Sequence, residues 1–101
     1  MIIVAGTLTI NPAKIGEFVR DVAAMVDRVR AEAGCYHYSL LVEDAATGLV
    51  NVLEQWEDDA ALLVHFTQPW IAEFSRRHGP EMLASTVRIL DVAGERPLPA
   101  M

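Results

Sequence analysis

The chain has one cysteine, Cys35, in 101 residues. It closes no disulfide within itself, and this scarcity points to a reducing cytoplasm. Basic residues are also few, with eight Lys and Arg against fourteen Asp and Glu and a net charge of −6. Only Arg76 and Arg77 are adjacent, so there is no basic stripe to neutralise phosphates, and nucleic acid is excluded as a partner. No helix-like stretch carries a basic polar face, and no apolar run approaches the ~20 residues that cross a bilayer, so no membrane role is expected. Residues 1–4, MIIV, lack the basic start of a secretory leader. A glycine-rich phosphate loop and a Ser or Cys nucleophile motif are missing as well. His65 and His78 are too far apart in sequence to form a metal-binding pair, so neither metal nor nucleotide cofactor is indicated.

Apolar residues are abundant at 52%, with a positive mean hydropathy of +0.26. A chain of this length makes one domain with a modest core. Small domains have much surface for their volume, so part of the apolar surface needs a partner to cover it. A symmetric homodimer is the simplest solution.

Residues 2–10 form a β-branched strand with Val4, Gly6, Leu8 and Ile10 on one face. Gly6 suits either the close approach of a ligand or backbone, or a simple twist in the strand. Asn11-Pro12 starts a helix, with Asn as cap and Pro at the first position. Ile15, Phe18, Val22, Met25, Val26 and Val29 form its apolar stripe, and Gly34 ends it. Lys14, Glu17, Asp21, Asp27, Arg28 and Glu32 read as its solvated side. Residues 35–43 are a second strand, with Cys35 as a buried structural thiol. Residues 44–48 make a turn, and residues 49–56 a third strand, apolar on both faces and so central. Asp58 or Asp59 caps a helix over residues 60–66, and Pro69 opens another through Trp70, Ile71, Phe74 and His78. Residues 81–84 predict one further helical turn, and residues 86–92 the last strand. Residues 94–101, with two prolines, read as a tail able to reach a partner subunit. The order β-α-β-β-α-β is an α+β, ferredoxin-like arrangement: an antiparallel sheet with helices on one face. Two such sheets packed face to face would form a dimeric α/β barrel.

Chemistry concentrates in residues 51–70, NVLEQWEDDAALLVHFTQPW. His65 is the candidate base, because its ordinary pKa lies near neutrality. It is equally readable as a structural, hydrogen-bonded histidine. Glu54, flanked by apolar residues, either holds His65, acts as an acid with a raised pKa, or accepts from backbone or Arg88. Trp56 and Trp70 suit stacking on a planar substrate or plain core packing. Tyr38 and His37 are candidate donors to a substrate oxygen. They lie on opposite strand faces, so at most one serves a given pocket.

The run Gly34-Cys35-x-x-Tyr38, then Glu54-x-Trp56, Ala61-Leu62-x-x-His65, Pro69 and Phe74 resembles the antibiotic biosynthesis monooxygenase family of dimeric α/β-barrel proteins. The resemblance spans about residues 1–92. It implies a homodimer with a pocket between sheet and helices in each subunit. It also implies oxidation of a small phenolic or quinol-type aromatic by O2, without flavin or metal. His65, Glu54 and Tyr38 are then the catalytic candidates, and Trp56, Trp70, Phe74 and His37 the substrate-binding ones. Related activities include quinol and polyketide oxidation, haem degradation and isomerisation of small signalling molecules. Three positions depart from family patterns. Trp70 stands where a histidine is frequent, and Val52 where polyketide oxidisers carry asparagine. Gly6 and Ser75 stand where haem degraders carry asparagine and histidine. A non-catalytic ligand-binding or dimerisation module and a small-carbonyl isomerase are the alternative functions.

Overall fold

The computed structural model describes residues 1–100. Strand β1 (Ile2–Ile10) leads through a 3-10 turn into helix α1 (Ile15–Arg30). Strands β2 (Cys35–Asp44) and β3 (Leu49–Trp56) form a hairpin. Helices α2 (Asp59–Phe66) and α3 (Pro69–His78) follow, then strands β4 (Met82–Ser85) and β5 (Arg88–Asp91). The sheet is antiparallel in the order β2-β3-β1, and the far edge of β1 is shared by β4 and β5. β1 and β2 therefore run parallel on either side of β3, the split βαβ arrangement expected. The sheet of a single chain does not close on itself.

Local chemistry explains most boundaries. Asn11 Oδ1 accepts the Ala13 N–H at 3.1 Å, and Pro12 follows. Asp58, of the two aspartates considered, is the cap of α2, accepting the Ala61 N–H at 2.9 Å. The first helix covers its apolar stripe but stops short of the expected end at Gly34. It ends at Arg30, and a turn carries the chain to Gly34 in the left-handed region, φ 78°.

Two expectations about the C-terminal part need correction. Residues 81–84 do not add a helical turn: a 3-10 turn spans Gly79–Glu81, and Met82 starts β4. The strand expected over residues 86–92 is β5, and β4 is an additional strand separated from it by a break, so the sheet has five strands rather than four. Gly6 explains the break. A Cβ there would lie 2.6 Å from the Thr86 carbonyl oxygen and 2.8 Å from Val87 Cα, at φ 150°. The backbone between β4 and β5 crosses directly over Gly6, so the close approach is by backbone.

Helix α1 lays Phe18, Val22, Met25 and Val29 on the inner sheet face, against Ile2, Val4, Ile10, Leu40, Val50, Val52 and Trp56. Each such side chain contributes about 1.5–3 kcal/mol when fully buried. The outer face carries no helix, and Leu41, Leu53 and Leu90 are exposed there. Cys35 is only half-buried, which corrects the expectation of a buried thiol. Burial, with Glu32 and Glu54 nearby, raises its pKa.

Candidate active site

Alternation along β3 turns Val52, Glu54 and Trp56 toward the helices, and the hairpin register sets Tyr38 beside Glu54. Helix α2 then lays His65 over this row. The His65 ring is 4.7 Å from Trp56 and 5.5 Å from Tyr38, centre to centre. Trp56 has no exposed surface, and His65 retains 2%.

Glu54 does not hold His65. Its Oε1 accepts the Trp56 indole N–H at 3.0 Å. The partner of His65 is Glu32, in the turn just past α1. Both Glu32 oxygens face His65 Nδ1, at 2.9 and 3.1 Å, and Oε2 also accepts the Trp70 indole N–H at 2.9 Å. The solvated-side reading of Glu32 is therefore wrong: its side chain is 7% exposed. With a carboxylate on Nδ1, the neutral ring carries its proton there. Nothing among the described residues bonds Nε2.

Electrostatics separates the three titrating groups. Burial lowers the His65 pKa, opposed by the hydrogen bond and charge of Glu32. Burial raises the Glu54 carboxyl to about 7, against the Trp56 N–H and with help from the Glu32 charge. Burial, then the charges of Glu54 and Glu32, pushes the Tyr38 phenol far above its ordinary range. The cluster thus combines an anchored neutral imidazole, a carboxyl that titrates near neutrality, and a phenol that stays protonated.

The remaining candidates separate. His37 lies on the outer face, exposed, with Nε2 3.2 Å from Ser39 Oγ. The bulge in β2 between Cys35 and His37 directs it away from Trp56, which corrects its grouping with the other candidates. Phe74 belongs to a second aromatic group, 5.5 Å from Phe18 and 4.7 Å from His78. His78 bridges Asp21 at 2.6 Å and Glu81 at 2.8 Å, and Arg77 joins Asp21 at 3.0 Å. Asp21, read as solvated, is thus a structural partner. Among the described residues, no three His, Cys, Asp or Glu side chains are grouped to hold a metal ion.

Two grooves meet at Trp70. One, about 370 Å³, lies between α1 and α3 and includes Met25, Arg28, Trp70 and Phe74. The other, about 430 Å³, includes Arg28, Glu32, Val64 and Trp70. The indole of Trp70 divides them and covers Glu32. A separate cavity of about 230 Å³ lies under Phe74 and His78, above Leu8 and Ile10.

Sequence reasoning missed Glu32 because its charge outweighed its position. The spacing Phe18, Val22, Met25, Val29, Glu32 continues the apolar stripe by one step, and that was the available signal.

An open antiparallel sheet with its helices on one face, and a buried carboxylate–histidine pair beneath them, defines an α+β domain of split βαβ type. The family model described as antibiotic biosynthesis monooxygenase matches residues 1–77, and the chain belongs to that family. The uncharacterized protein sll1783 of Synechocystis sp. is 32% identical over 88 residues, or 87% of this chain. The chain spans only 59% of that relative's length. PA3566 of Pseudomonas aeruginosa is 30% identical, with a TM-score of 0.79, covering 92% of this chain and 94% of that one. Rv0793 of Mycobacterium tuberculosis, 24% identical, shares the fold with a TM-score of 0.80 over 95% of this chain and 98% of its own.

Proposed function

We propose that this protein is a cofactor-independent monooxygenase that oxidises a small hydroxylated aromatic or quinol-type substrate with O2, working as a homodimer. The observation that carries this reading is the Glu32–His65 pair packed on Trp56 and covered by Trp70. With Nδ1–H held by Glu32, Nε2 is the free base that takes the phenol proton. The resulting phenolate is electron-rich enough to reduce O2 without an added reductant. The balance closes: a phenol and O2 give a quinone and water. One oxygen atom replaces a ring hydrogen, and that hydrogen and the phenol hydrogen leave in the water. Tyr38, held protonated, orients the substrate oxygen, and Glu54, titrating near 7, returns a proton to the reduced oxygen. Trp70, which lines both grooves, offers the flat surface for the ring, and buried Trp56 backs His65. Trp70, through its indole N–H, keeps Glu32 in place against His65 Nδ1.

The dimer reading rests on the outer sheet face, where Leu41, Leu53 and Leu90 lie exposed beside Ile3 and Ala5. A second copy packed there would bury them and complete a barrel.

Burial of His65 favours the opposing reading, a ligand-binding module without turnover. Oxygen uptake by metal-free protein over a panel of naphthols, anthrones and quinols separates them. The monooxygenase consumes O2 above the buffer rate, and His65→Gln lowers that rate by about 100-fold or more. Uptake at the buffer rate for every compound, with ligand binding unchanged in His65→Gln, identifies the module. Turnover of a small carbonyl compound without O2 identifies an isomerase.

A further inference from the structure

We propose that the groove between α1 and α3 is a binding site for a small planar aromatic carboxylate. This site is independent of the oxygenase reading and stands or falls on binding alone.

The groove is about 370 Å³, within the ~300–1,000 Å³ typical of small-molecule pockets. Its floor is apolar and aromatic, from Met25, Trp70 and Phe74, and suits a flat ring. Its charges decide which ring. Asp21 is already paired with Arg77 at 3.0 Å and hydrogen-bonded to His78 at 2.6 Å. Glu73 is paired with Arg76 at 2.6 Å. Glu32, one turn beyond Arg28, is turned inward to His65 and Trp70. Arg28 is left over. It makes no ion pair among the described residues, and its guanidinium sits 5.9 Å over the Trp70 ring.

A guanidinium over an indole presents a planar fork of N–H donors at a fixed height above an aromatic surface. A carboxylate matches that fork with two oxygens, and a ring attached to it lies along Trp70 and Phe74. A cationic ligand would meet the one uncompensated positive charge in the groove, and a neutral ring would leave it unused. Because the groove borders the indole that donates to Glu32, its ligand also contacts a side chain that holds the partner of His65.

Amide NMR tests the proposal directly, because the two indole N–H signals report different places. Trp56 is wholly buried on Glu54, and Trp70 lines the groove. Trp70→Phe assigns the signals. Titration of wild-type protein with 2-naphthoate should shift the Trp70 signal saturably and leave Trp56 nearly still. Arg28→Ala, and Arg28→Gln as a variant of similar length, should weaken binding by about tenfold or more, the scale of a charge-assisted pair. Replacing 2-naphthoate by uncharged 2-naphthamide should have the same effect. Arg20→Ala, on the same helix outside the groove, should leave affinity within about twofold. The proposal is overturned if 2-naphthoate moves neither the Trp70 signal nor the α1–α3 amides. It is equally overturned if the amide binds as well as the acid, or if folded Arg28 variants bind like wild type.

Discussion

Glutamine at position 54 should stabilise this protein, and only at neutral and alkaline pH. Glu54 is buried, 8% exposed, and its pKa rises from an ordinary 4.5 to about 7. The folded state holds the proton more tightly than the unfolded state, so folding is favoured by the protonated form. That contribution is complete below about pH 4.5. It is lost as pH rises to 7, because unfolded chains gain the freedom to ionise that the fold resists. The loss is about 3 kcal/mol over this window, from 1.36 kcal/mol per pH unit of separation. Glu54→Gln mimics the protonated acid and keeps an oxygen for the Trp56 N–H. The two proteins should be nearly equal in stability at pH 4.5. At pH 8 the variant should be more stable by up to about 3 kcal/mol, or roughly 10–20 °C in Tm for a domain of this size. Urea unfolding of both proteins at half-unit steps from pH 4.5 to 8.5 measures the difference. Burial lowers the His65 pKa, so its own contribution grows as pH rises. It acts in both proteins and largely cancels. A difference curve that is flat, or that slopes the other way, would mean that Glu54 ionises in the fold as it does in water, and would refute the reasoning.

Glu32→Ala orphans two buried donors, the His65 Nδ1–H and the Trp70 indole N–H, at about 1–3 kcal/mol each. Denaturation should show a loss of about 2–5 kcal/mol, and ring-nitrogen NMR should find the His65 pKa lower still; an unchanged pKa argues against the pairing. Gly6→Ala pushes a methyl group into the Thr86–Val87 backbone at an unfavourable φ and should cost about 2–4 kcal/mol in thermal melts. A drop below about 0.5 kcal/mol would mean that the crossing strand yields easily. Leu53→Asp places a charge in the middle of the outer face and should turn a dimer into a monomer by light scattering. A dimer that persists unchanged would locate the interface elsewhere.

Elements and their faces were legible because they rest on short-range rules. The Asn11 cap and the prolines at the first helical positions, Pro12 and Pro69, marked starts, and alternation along residues 49–56 put Glu54 and Trp56 on one face. The extra strand β4 was missed because the path between β4 and β5 depends on an encounter between residues 6 and 86, which no local pattern records. His65 was visible as a candidate, but its partner was not. Glu32 lies 33 positions away and was read as surface because acidic residues on amphipathic helices usually are. Alternation along β2 already set His37 and Tyr38 on opposite faces, and the structure turns Tyr38 inward beside Glu54 and leaves His37 outside.

The sequence by itself determined the class of molecule: an acidic α+β chain, a sheet with helices on one face, a helix-borne histidine and a strand tryptophan. Periodicity and capping suffice for this, since each acts within one or two turns of chain. Only the tertiary structure decided that Glu54 serves Trp56 while Glu32 serves His65 and Trp70, and that Arg28 keeps an unmatched charge in a groove. Those assignments follow from which side chains meet across the packed interior, where every buried donor must find an acceptor whatever its distance in sequence.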